Sequence, residues 1–256
     1  MLGKALSMIG VGGVKVDAVL DRAIIAFGEE FTGTVHITGG KVEQTITGVS
    51  LDLWTQVERE VDDQKVHESR LLERAGLRET FTMGPGQRME FPFTFAPPPW
   101  TPVSLPGRAV PLWLQTSLDV SMAVDPTDRD YLQVLPSPGM QSVLDAMGLL
   151  GFRLGKMDVE HRPRWSNGAG LVQEWEFRPA SRGTRGFDEI EIVFEPDGAA
   201  LGLLVQIDRS ARSFGGFLAE MTGADESWMR LRLEPWLLNQ GAHAVAQALS
   251  ESFDGR

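Results

Sequence analysis

Phe31-Thr32-Gly33-Thr34-Val35-His36-Ile37-Thr38, framed by Gly28-Glu29-Glu30 before it and Gly39-Gly40 after it, is the stretch from which the fold is read. From Phe31 the side chains alternate. Phe31, Gly33, Val35 and Ile37 point one way; Thr32, Thr34, His36 and Thr38 point the other. A period of two is that of a half-buried strand. Gly28 makes a turn before it and Gly39-Gly40 end it. A second alternating run follows, with Val49, Leu51, Leu53 and Thr55 on one face. The two runs are expected to be adjacent strands of a sandwich.

Outward from this stretch, composition bounds the answer. The chain has 256 residues, 42% hydrophobic and 23% charged, which suits one large or two small packed domains. Its formal net charge of −11 opposes the phosphate backbone of nucleic acid, so a nucleic-acid partner is not expected. There is no cysteine, which removes disulfides, thiolate metal sites and thiol nucleophiles and fits a reducing compartment. No run approaches the roughly 20 apolar residues of a membrane-spanning helix. Residues 1–14 carry one lysine and lack the form of a signal peptide; residues 1–9 are expected to be a short amphipathic cap.

Val14, Val16, Ala18 and Leu20 alternate against Lys15, Asp17 and Val19, which makes residues 14–20 the first strand. Residues 58–73 are dense in both charges, with Asp62-Asp63 as the turn of a solvent-washed hairpin. Met89, Phe91, Phe93 and Phe95 form another inward face, ended by Pro97-Pro98-Pro99. Residues 110–122 alternate as one long strand. Ser137-Pro138 reads as a helix start, followed by Met140, Val143, Leu144 and Met147 at helical spacing. Strands follow at 152–160, 171–178, 187–195, 201–208 and around 229–233. A short helix is expected at 214–221, and a last amphipathic helix over 238–253.

The usual catalytic constellations are missing: no nucleophile elbow, no phosphate-binding glycine loop, and no histidines spaced as a metal pair. Asp125-Pro126-Thr127-Asp128-Arg129-Asp130 invites a calcium reading, but its acids lack the alternation and central glycine of a calcium loop, so it is expected to be a turn. The acids Glu58, Glu60, Asp62 and Asp63 are interleaved with Arg59 and Lys65 and read as a solvated hairpin. Trp100, Trp113, Trp165, Trp175, Trp228 and Trp236 suit core or interface packing better than an open ligand platform. No catalytic residue, metal ligand or cofactor is assigned.

A Gly-Glu-Glu turn followed by Phe-x-Gly-x-Val-x-Ile is similar to the start of arrestin-like N-terminal domains. Around it stand Val14-Lys15-Val16-Asp17, Gly39-Gly40-x-Val42-Glu43-Gln44 and Glu60-Val61-Asp62-Asp63. Val110-x-Leu112-Trp113-Leu114-Gln115-Thr116, Asp119-Val120-x-Met122-Ala123-Val124-Asp125-Pro126, Leu150-Gly151-Phe152-Arg153-Leu154 and Gly215-Gly216-Phe217-Leu218-Ala219-Glu220-Met221 follow. In order and spacing the set resembles the bacterial sporulation-control (stage zero) family of arrestin-like proteins, over nearly the whole chain. The fold expected is mainly β: an arrestin-like β-sandwich N-terminal domain at 1–135, a linker helix at 136–151, and a smaller β-rich C-terminal domain with two helices at 152–256. The resemblance implies a non-enzymatic, cytoplasmic regulatory adaptor or scaffold that acts through protein–protein contacts; a small-molecule or carbohydrate-binding sandwich is the alternative. It also places the first strand at a sheet edge. Val14, Lys15, Val16, Asp17 and Val19 are therefore the candidate partner-binding edge, open to a protein partner or to a second copy in a homodimer.

Overall fold

The computed structural model describes residues 13–61, 64–161, 170–181, 186–208 and 228–254. The cap at 1–9, the Asp62-Asp63 turn, Trp165 and the helix expected at 214–221 lie outside the described residues. The chain divides into two compact units, residues 1–135 and 136–256.

The first unit contains β1 (Lys15–Leu20), β2 (Ile24–Ala26), β3 (Phe31–Thr38), β4 (Gln44–Val61) and β5 (Gln64–Arg78). It continues with β6 (Phe81–Met83), β7 (Arg88–Phe95), β8 (Leu112–Val120), β9 (Thr127–Tyr131) and β10 (Gln133–Leu135). One antiparallel sheet runs β1-β3-β7. In a second, β4 pairs with β8 along one edge and with β5 and β6 along the other, and β9 lies outside β8. β2 and β10 form a short parallel pair.

The expectation that residues 31–38 and 49–55 are neighbouring strands was wrong: β3 and β4 lie in different sheets. The glycines after β3 explain this. The Gly39 N–H donates to the Gln87 carbonyl at 2.7 Å and the Gly86 N–H to the Gly40 carbonyl at 3.0 Å, which pins the chain to the turn that starts β7. A Cβ on Gly39 would sit 2.1 Å from the Gly84 carbonyl oxygen. The chain therefore leaves the first sheet here instead of folding back beside β3.

Alternation puts the core between these strands' inner faces. Phe31, Val35, Ile37, Phe93 and Phe95 come from the first sheet, and Val49, Leu51, Leu53, Leu114 and Leu118 from the second; all are buried. Phe31 stacks on Phe95 at 5.3 Å and meets Phe93 edge-on at 6.3 Å. Each large side chain buried in this way contributes roughly 1.5–3 kcal/mol. Two boundaries differ from expectation. The long strand stops at Val120, whose N–H donates to Asp125 Oδ1 at 2.7 Å, and Met122 turns outward at φ 56°. The segment 125–130 is a turn only at its start: Asp128 and Asp130 belong to β9, paired with Thr116 and Leu114 of β8.

The second unit is an antiparallel meander of β11 (Phe152–His161), β12 (Leu171–Pro179), β13 (Glu189–Asp197), β14 (Ala200–Asp208) and β15 (Met229–Leu233). Its helices are α1 (Pro138–Leu149), α2 (Pro235–Leu238) and α3 (Ala242–Asp254). The Ser137 hydroxyl accepts the Met140 N–H at 3.2 Å and Pro138 opens α1, as the sequence indicates. α1 falls within this second unit. It buries Met140, Val143, Ala146 and Met147, while α3 buries Val245, Ala246, Leu249 and Phe253. Phe253 meets Phe187 edge-on at 6.4 Å, and Phe187 stacks on Phe152 at 6.3 Å. The last helix is not continuous from Leu238: Gly241, at φ 83°, separates α2 from α3.

Candidate functional site

The candidate site is built on β1. In the order β1-β3-β7 this strand is an outer one. Its register with β3 pairs Lys15 with Thr38, Asp17 with His36 and Val19 with Thr34. The Asp21 N–H donates to the Thr32 carbonyl at 3.0 Å. Antiparallel pairs alternate between hydrogen-bonded and non-hydrogen-bonded. Counting back from Asp21, the main chains of Val19, Asp17 and Lys15 face β3, and those of Leu20, Ala18, Val16 and Val14 face away. The side chains alternate as expected: Val14 and Ala18 are buried, and Lys15, Asp17 and Val19 are exposed.

The outward main chain of β1 is partly covered. The Val14 N–H donates to Gln44 Oε1 at 3.0 Å, and the Ala18 N–H to Asp128 Oδ2 at 2.8 Å. Asp128 lies on β9, the outermost strand on its side of β8, so its carboxylate joins two strand margins that share no ladder. By the same alternation Val16 and Leu20 present the remaining outward N–H groups. The opposite margin of this sheet is blunted differently. Pro92 sits within β7 opposite Thr34 and has no N–H to give, a placement that strands tolerate at an edge.

Beside Asp128 on the same face of β9 is Asp130, half-buried, with Oδ2 shut off from solvent and without a hydrogen-bond partner. Its carboxyl is pushed up to about 6, first by burial, then by the charge of Asp128 and a hydrogen bond to it, and last by the charge of Asp17. Asp128, Asp130 and Gln44 are the residues that sequence reasoning did not attach to the β1 edge. The signal for the first two was the acid density of 125–130. Its meaning depends on β9 lying beside β1, which no local pattern encodes. Asp125 and Asp128 each accept a backbone N–H, so neither is a loose turn carboxylate.

The tryptophans are largely spent on packing. Trp113 is 5% exposed and Trp175 is fully buried. The Arg129 guanidinium lies 4.7 Å from the Trp113 ring centroid. Trp228 packs against Val172, Val193 and Leu204. Trp236, at 63% exposure, stands out from α2. Among the described residues, no helix is long and apolar enough to cross a membrane.

Comparison with known proteins agrees with this architecture. The chain is 36% identical over 252 residues to the sporulation-control protein spo0M of Bacillus subtilis (strain 168), covering 98% of this chain and 96% of that one. The crystal structure of Spo0M, sporulation control protein, from Bacillus subtilis matches with a TM-score of 0.85 at 34% identity, over 96% of this chain and 99% of that chain. The mainly β, arrestin-like fold is thus shared along nearly the full length. The model of the family described as SpoOM protein matches residues 2–211, and the chain belongs to that family.

Proposed function

We propose that this protein is a non-enzymatic regulator of sporulation that works in the cytoplasm as an adaptor, taking a protein partner or a second copy of itself along β1. Support for the regulatory part comes from the relative named as a sporulation-control protein, at 36% identity over 98% of the chain. The observation that carries the edge reading is the place of β1 as an outer strand of the β1-β3-β7 sheet. Along it, Val16 and Leu20 keep outward N–H groups. An extended peptide laid along such an edge gains main-chain hydrogen bonds and reads alternate side chains. Lys15 and Asp17 supply charges that keep an open edge from pairing indiscriminately.

The test follows from the register. Proline at Val16 or at Leu20 removes an outward donor and leaves the β3 ladder intact; proline at Asp17 removes a ladder donor and unfolds the strand. Val16→Pro and Leu20→Pro should keep the wild-type far-UV spectrum and melting transition. They should lose self-association in sedimentation and partner capture from host lysate. If both variants fold and keep full capture and self-association, β1 is not the contact surface.

A further inference from the structure

We propose that Asp128 and Asp130 form a proton-sharing clasp that fastens β1 to β9 and thereby controls whether the β1 edge is open to a partner strand. The proposal rests on β1 as the contact edge only for its consequence; the clasp itself is read from β1 and β9 alone.

The geometry comes first. Asp128 links the two strand margins: its Oδ2 accepts the Ala18 N–H at 2.8 Å, while the ladder partner of β1 is β3 and that of β9 is β8. Asp130, two residues along β9, is on the same face; its carboxyl is hydrogen-bonded to Asp128 when it carries a proton, and its Oδ2 is buried without a hydrogen-bond partner. A second ionised carboxylate here repels the first and stays poorly solvated. The surrounding charges do not relieve this. From β1 the acting group is Asp17, also acidic. Lys15 is the other titratable residue of β1, and His36 on β3 is the register partner of Asp17, 3.3 Å from Glu90. On β8 the facing residues Leu114 and Thr116 carry no charge. Arg129 alternates to the other face of β9, with its guanidinium over the Trp113 ring.

The sign follows from linkage. A carboxyl whose value is raised from 3.8 to about 6 in the closed clasp binds its proton more tightly there than when the strands part. The clasp is therefore held best in mild acid and loosens as pH rises through this window. Parting the strands relieves the burial and the charge of Asp17, while Asp128 stays beside Asp130 on β9, so the open population rises by at most about tenfold between about pH 5 and 8. β1 is then the more available to a partner at neutral and alkaline pH.

The experiment is amide exchange by NMR on the full chain without any partner, from about pH 5 to 8, with rates divided by the intrinsic rate at each pH. The protection factor of the Ala18 amide should fall severalfold, by at most about tenfold, over this range. In Asp130→Asn, which carries no charge at any pH, it should stay flat and high. In Asp128→Ala it should be low throughout. The Asp130 carboxyl carbon resonance in wild type should titrate near 6. A wild-type protection factor that does not change with pH, or an Asp130→Asn variant that keeps the wild-type slope, overturns the clasp. Should Asp128→Ala fail to fold, the comparison of wild type with Asp130→Asn still decides. Because no partner is present, a clasp that behaves as described beside proline variants that keep full binding would sink the edge reading and leave the clasp standing.

Discussion

At the scale of single residues, the motif that opens the fold has two members with opposite reasons for being there. Gly33 is required by space. A Cβ at this position would lie 2.6 Å from the Val19 carbonyl oxygen and 2.8 Å from the Phe93 ring, so β1 and β7 close over a residue without a side chain. Gly33→Ala should destabilise the protein by about 1–3 kcal/mol, the usual cost of overpacking, seen as a lower urea midpoint at unchanged m-value. An unchanged midpoint would mean that the ring and strand move aside freely. Glu29 is required by its charge. Its carboxylate accepts the Ala26 N–H at 2.9 Å and the Arg22 guanidinium at 2.6 Å, while Gly28 turns the chain at φ 77°. The Ala26 bond first, and Arg22 second, hold this carboxyl below the ordinary glutamate value of 4.5. A depressed carboxyl adds stability above its unfolded value and loses it as pH falls through its folded one. Glu29→Gln should therefore melt below wild type at neutral pH, with the gap closing as pH is lowered past 4.5. A gap that is constant down to the acid transition would remove the carboxylate from the turn's stability.

At the scale of elements, α3 closes the second unit. Phe253 is fully buried, edge-on to Phe187, and shares its face with Val245 and Leu249. Phe253→Ala should cost about 3–5 kcal/mol, measured by denaturant unfolding. A loss below the cost of a surface substitution would mean that the stripe is not packed as placed. This helix was legible in the sequence because its apolar residues recur at helical spacing. β3, β7 and β11 to β15 were legible for the matching reason, alternation between Gly and Pro turns. What the sequence withheld is pairing. A period of two says that a strand has an inner face and does not say which sheet holds it, so alternation does not separate β3 from β4, which lie in different sheets. The candidate edge shows the same boundary. The alternation of Val14, Val16 and Ala18 was readable, and so was the charge on Lys15 and Asp17. The cover supplied by Gln44 and Asp128 comes from residues 30 and 110 positions away, and no local signal carries it. The split of the last helix at Gly241 was within reach, since glycine adopts the left-handed backbone required there.

At the scale of the whole molecule, the chain divides into two compact units whose elements pair and pack within each. In the first, each of β1 to β10 finds a ladder partner within residues 1–135, and both sheets contribute buried faces. In the second, β11 to β15 form a continuous meander, and α1 and α3 bury their apolar stripes within residues 136–256. Units of this length bury enough apolar surface to offset chain entropy without help. Residues 1–135, expressed alone, should therefore give a near-UV circular dichroism signal from packed aromatics such as Trp113 and a single cooperative urea transition. Residues 136–256 should do the same through Trp175, which is fully buried beside Phe194 at 4.9 Å. Fragments that keep far-UV strand signal but lose the near-UV bands would be molten. The full chain would then have to be treated as one cooperative unit, with its two clusters of contacts describing packing and not folding.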